Sequence, residues 1–167
     1  MKATRFKIKN FLSVTLMCAV LMGFVSIRTA HAADCRTILS VIESANPYAN
    51  KRMGGHLNKH IFTMQASLSN SNATTATLYK QVDDWLAIWD AYRQDTTVTA
   101  PNCLAAKVDP KVILKPIVRG HNCLTHDPLN KTQCSKLDPK DFKPVKHAFV
   151  FKKVNGKWII LSAFPKP

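Results

Sequence analysis

Residues 145–164 read VKHAFVFKKVNGKWIILSAF. Two β-rich runs, Val145 to Val154 and Lys157 to Phe164, flank Asn155-Gly156, the dipeptide best suited to the two positive φ angles of a type I′ turn. The expectation is an antiparallel hairpin with Val154 opposite Lys157. Counting outward from a two-residue loop sets Phe149 opposite Ser162 and His147 opposite Phe164. Strand side chains alternate, so His147, Phe149, Ser162 and Phe164 are expected on one face, apolar toward the turn through Phe151, Trp158 and Ile160.

Moving toward the N-terminus, the hydrophobic period changes. Residues 120–144 are rich in Asn, Asp, Pro, Lys and Thr and read as a long basic loop. Val112-Ile113-Leu114 and Ile117-Val118 flank Pro116 and suggest a strand at a sheet edge. Before Pro101 the pattern is helical. Leu78, Val82, Trp85, Trp89 and Tyr92 recur at alternating spacings of four and three, an aromatic stripe of the kind that faces a core. Leu57, Ile61, Met64 and Leu68 make a second stripe, followed by a polar loop from Ser69 to Thr75. Asp34 is placed to cap a first helix carrying Ile38, Leu39, Val41 and Ile42 and ending near Asn46-Pro47. Helices first and strands afterwards describe an α+β domain: an N-terminal helical lobe packed on a small twisted antiparallel sheet that ends in the C-terminal hairpin, with the active cleft between them.

Residues 1–32 have the form of a secretory signal peptide. Lys2, Arg5, Lys7 and Lys9 precede an apolar stretch from Phe11 to Ile27, and Ala30-His31-Ala32 is a small-x-small cleavage site. The stretch is short for a membrane span, and Cys18 lacks the small residues that precede a lipidated cysteine. The expectation is a periplasmic or secreted chain, a single domain over residues 33–167, without stable membrane insertion once the leader is removed. Its net charge is +9, all of it in residues 101–167, which hold 13 basic and four acidic side chains, while residues 33–100 balance at six each. Such asymmetry points to a polyanionic partner. After export the four remaining cysteines are expected to be oxidised. Of three possible pairings we favour Cys123 with Cys134 and Cys35 with Cys103, as structural staples rather than metal ligands.

Two places could carry chemistry. In Gly54-Gly55-His56-Leu57-Asn58-Lys59-His60-Ile61, the two imidazoles are four residues apart on one helix face, suited to handling protons. A metal would need a third ligand, and no Glu of the H-E-x-x-H type is present. The second place is the hairpin face with His147 and Ser162.

Gly54-Gly55-His56 with Lys59-His60, then a helical region, then Ile160-Leu161-Ser162-Ala163-Phe164-Pro165, resembles the bacterial RNase-A-like toxin domain of contact-dependent growth-inhibition effectors. The likeness spans roughly residues 50–165, with motifs at its two ends. The family's last strand typically reads Leu-Thr-Ala-Tyr-Pro, with Thr and Tyr lining the active site. Here Ser162 keeps the hydroxyl and Phe164 loses it. The family's catalytic histidine corresponds best to His60, which precedes an apolar residue. Where the family has an arginine, Ser67 to Asn72 has no basic residue, and Lys146, Arg119 or His147 would have to substitute.

The resemblance implies metal-independent RNA cleavage without a cofactor. A base takes the 2′-OH proton, the oxygen attacks phosphorus, and an acid protonates the departing 5′-oxygen. His60 and His147 are the expected acid/base pair, assisted by His56, with Ser162 donating to the phosphorane. Phe164 would stack a base, and Arg119 and Lys146 would hold phosphates. RNA and a cognate immunity protein are the partners this implies. The alternative is a non-catalytic envelope protein that binds a polyanion or an exported partner.

Overall fold

Asp34 stands near the start of the described chain. Its carboxylate accepts the Arg36 N–H at 2.9 Å and caps a 3-10 turn, Cys35–Thr37, which leads into α1 (Leu39–Glu43). The helix expected to end near Asn46-Pro47 ends before it, and Asn46-Pro47 instead starts α2 (Pro47–Arg52). There the Asn46 side chain accepts two N–H bonds, and the proline takes the first helical position, where its missing N–H costs nothing. The computed structural model describes residues 33–67, 76–104, 107–108, 111–112 and 118–167. The expected leader (1–32), Leu68, the Ser69–Thr75 loop and Ile113–Ile117 lie outside the described residues.

The stripe at Leu57, Ile61 and Met64 is buried as expected, but on two 3-10 segments, Leu57–His60 and Phe62–Ser67, rather than one α-helix. They break at Ile61 because this residue bridges Tyr79 in a parallel pairing, with the Tyr79 N–H donating to the His60 carbonyl and the Phe62 N–H to the Tyr79 carbonyl. Strand β1 (Thr77–Leu78) follows, so Leu78 belongs to a strand. The rest of the aromatic stripe lies on α3 (Val82–Gln94), which has a capping box between Gln81 and Asp84.

The strands form two antiparallel sheets rather than one. β1, β4 (Gly120–His126) and β5 (Cys134–Phe142) make the first. In the second, β6 (Lys146–Val154) pairs with β7 (Lys157–Lys166) on one side. Its other edge meets two short strands, β2 (Lys107–Val108) and β3 (Lys111–Val112). The expected basic loop over 120–144 is therefore largely a hairpin. Half of the residues in its polar strands are exposed, and pairing to β1 and the Cys123–Cys134 disulfide help hold them. The second disulfide joins Cys35 to Cys103, so both expected pairings are present.

Trp85, Trp89 and Tyr92 of α3 pack on Phe149 of β6, with Tyr92 stacked on it at 4.3 Å. Arg36 closes the far end of α3, donating to the Tyr92 and Asp95 carbonyls while paired with Asp34 at 2.9 Å. Residues Ala32–Pro167 cluster as one compact unit. This is an α+β fold of short helices and two small antiparallel sheets ending in a C-terminal hairpin.

Candidate functional site

The hairpin turn is as expected: Asn155 and Gly156 have φ of 47° and 80°, and Val154 pairs with Lys157. Four pairs out from the turn the register changes. Phe151 faces Ile160 but Val150 faces Ser162, so Leu161 is an extra residue, a β-bulge. From there outward Phe149 faces Ala163, Ala148 faces Phe164 and His147 faces Pro165. The expected single face is thus split in two. His147 and Phe149 lie on the side packed against α3, and Ser162 and Phe164 lie on the opposite side.

His147 is consequently a core residue. It is buried, its ring is stacked on that of Tyr79, and its Nδ1 is 3.1 Å from the Tyr79 hydroxyl. Burial pushes its pKa down to about 4, and burial also raises that of Tyr79. The expected use of His147 with His60 across one phosphate finds no support in this placement: His147 is turned into the core against Tyr79, while His60 stacks on Phe164.

The first motif and the last strand do come together. Gly54 has φ 87°, a conformation that favours glycine, and a Cβ on Gly55 would lie 2.2 Å from Asn50 Oδ1. That close approach wraps the loop around the fully buried Asn50. Its amide accepts the Leu57 N–H at 2.9 Å and donates to the Ser44 and Ile160 carbonyls at 2.9 and 2.5 Å. The carbonyl of the bulged Leu161 accepts the His56 N–H at 2.9 Å. His60 is delivered onto Phe164, ring centroids 4.8 Å apart and interplanar angle 29°.

Against the Thr77 carbonyl, 3.1 Å away, His60 Nδ1 can only donate, so in the neutral ring Nε2 carries the lone pair. Burial pushes the His60 pKa down to about 4, opposed by the Thr77 bond and reinforced by Lys59 and His56. His56 is exposed, its pKa lowered by desolvation and by Lys59 and Lys152. Ser162 is 5% exposed, and its Oγ has no hydrogen-bond partner among the described residues.

Cations surround this group. Lys166 Nζ sits 5.7 Å from the Phe164 ring centroid, and Lys152 is close enough to act on His56. Lys146 pairs with Lys166 at the open end of the hairpin and is exposed. Residues 142–167 contain six lysines and no acidic side chain. Arg119 lies elsewhere, on the approach to β4, in a bidentate pair with Asp141 at 2.8 and 2.9 Å. The described residues contain no group of three His, Cys, Asp or Glu side chains that could hold a metal. Sequence reasoning missed Thr77 and Asn50, which act through a backbone carbonyl and a buried amide. No protein-family model, curated protein or solved structure matches the chain.

Proposed function

We propose that this chain is an exported ribonuclease that cleaves RNA by metal-independent transphosphorylation, acting as an antagonistic toxin or effector with RNA as substrate and a cognate immunity protein as partner. The observation that carries the reading is His60 itself, an imidazole fixed through Nδ1 to a backbone carbonyl and stacked on Phe164. It lies on a sheet face that also has an unpartnered buried hydroxyl and a rim of lysines. The resemblance between Gly54-Gly55-His56, Lys59-His60 and the terminal Leu161-Ser162-Ala163-Phe164-Pro165 and the RNase-A-like toxin domain supports the same reading. So do two disulfides, which suit an oxidising compartment, and a leader-like residues 1–32. No helix among the described residues is long and apolar enough to cross a membrane.

In this mechanism His60 Nε2 accepts the proton of the 2′-OH as that oxygen attacks phosphorus. Exposed His56, four residues earlier, returns a proton to the departing 5′-oxygen. Ser162 Oγ–H donates to the phosphorane, and Lys59, Lys152 and Lys166 neutralise flanking phosphates. His147 and Arg119 take no part.

The test is incubation of the oxidised protein, residues 33–167, with RNA between about pH 5 and 8. Fragments with 2′,3′-cyclic phosphate ends, unaffected by chelator, are expected. An absence of cleavage across that range overturns the enzyme reading. A second reading, a non-catalytic polyanion binder, is favoured by one observation: Arg119, one of the expected substitutes for the family's arginine, is paired with Asp141. It predicts RNA binding that weakens steeply with salt and no turnover.

A further inference from the structure

Gln65 is polar, 1% exposed, and used at both ends. Its Nε2 donates to the carbonyl of Lys59, the residue before His60, and its Oε1 accepts the N–H of Cys134. Cys134 is disulfide-bonded to Cys123, whose own N–H donates to the Ala76 carbonyl at 3.0 Å. Ala76 leads directly into Thr77, the residue whose carbonyl takes His60 Nδ1. Two arms therefore run from this one disulfide to His60. One goes through Cys134 and Gln65 to the backbone ahead of the imidazole, the other through Cys123 and β1 to the imidazole itself.

The ladder between β4 and β5 does not fix the spacing of these arms. Its register slips at three places between His121 and His126, and Cys123 is opposite Leu137 rather than Cys134. With ladder hydrogen bonds irregular there, the covalent bond defines how far apart the two arms are held.

We propose that Gln65 and the Cys123–Cys134 disulfide form a clamp that positions His60, so that the placement of this imidazole depends on the redox state of that bond. Gln65 is a positioning residue and touches no substrate. Reduction by a dithiol breaks the S–S bond, gives two thiols and closes the dithiol to its own disulfide, and the two arms separate. Cys35–Cys103 closes a different part of the fold and leaves the clamp untouched. The proposal rests on His60 being the base of the site, but its test does not require turnover.

The experiment is an NMR titration of the histidines in residues 33–167 for the parent, Gln65→Met, the pair Cys123→Ser/Cys134→Ser, and the combination. Gln65→Met keeps both disulfides and the side-chain volume, so it reports even where the cysteine pair costs stability. The His60 midpoint is expected to rise by about one pH unit in each, as the loosened ring regains water, with loss of its Nδ1–H hydrogen-bonded signal. His147, held in the core against Tyr79, is expected to shift less than His60. Because both changes act through one clamp, the combination should move His60 no further than either alone. An unchanged His60 midpoint in a folded variant, or shifts that simply add, overturns the proposal. Absence of RNA cleavage with the coupled shifts intact overturns the enzyme reading and leaves the clamp standing.

Discussion

His60 donates from Nδ1 to Thr77 and offers Nε2, so replacing it should remove the base without disturbing the hairpin. We expect His60→Asn to lower kcat by at least about 100-fold, the scale of general acid/base assistance, with a far-UV spectrum like the parent's. A variant within threefold of the parent would remove His60 from the mechanism. Gly55 gives a second prediction at this scale. A methyl group there meets Asn50 Oδ1 at 2.2 Å, and Asn50 is buried and bonded to Ser44, Leu57 and Ile160, so it cannot yield. Gly55→Ala should lose about 2–3 kcal/mol in urea unfolding, all of it from this clash, since Gly55 has no positive φ. The Gly-Gly-His motif was legible in the sequence, but the reason for its second glycine was not. That reason is a buried amide five residues upstream whose partners come from three separate elements.

Among the elements, the hairpin was legible to the point where local chemistry stops specifying it. Asn155-Gly156 dictates the turn, and the turn dictates the first four pairs. Ile159-Ile160-Leu161 then continues as a uniform apolar run with nothing to mark its third residue as extra. The bulge arises instead from the Leu161 carbonyl turning to the His56 N–H. One unmarked residue thus moved Ser162 and Phe164 to the face opposite His147. Deleting Leu161 should keep Val150 opposite Ser162 yet remove that carbonyl. The hairpin should persist while exchange of the His56 amide quickens by about tenfold, the worth of one net hydrogen bond. Exchange at the parent rate would show that the bulge does not anchor the motif loop. The β4–β5 hairpin was illegible for a related reason. Its strands lack an apolar alternation, and their order comes from β1 and a covalent cross-link.

For the molecule as a whole, two neutral histidines packed against the sheet make stability depend on pH. His60 and His147 both have folded-state values of about 4, against about 6.5 for an unfolded chain, each chiefly through burial. Above about pH 7.5 neither state binds a proton at these rings and stability is insensitive to them. As pH falls below 6.5 the unfolded chain takes up protons that the folded chain refuses, so stability drops, until both rings titrate in the folded state near pH 4. With two such groups the slope around pH 5 approaches 2.7 kcal/mol per pH unit, about twice 2.303RT. For His147, 2% exposed, the total loss over the window is about 3 kcal/mol. The pair Tyr79→Phe/His147→Phe removes one titrating ring together with the hydroxyl that bonds it, so no polar atom is stranded. Urea midpoints at pH 7 and pH 5 should then differ less than in the parent, with His60 and the also-lowered His56 supplying what remains. An undiminished difference would place the acid sensitivity outside His147, and a parent whose stability is flat between pH 7 and 5 would contradict the burial of both rings.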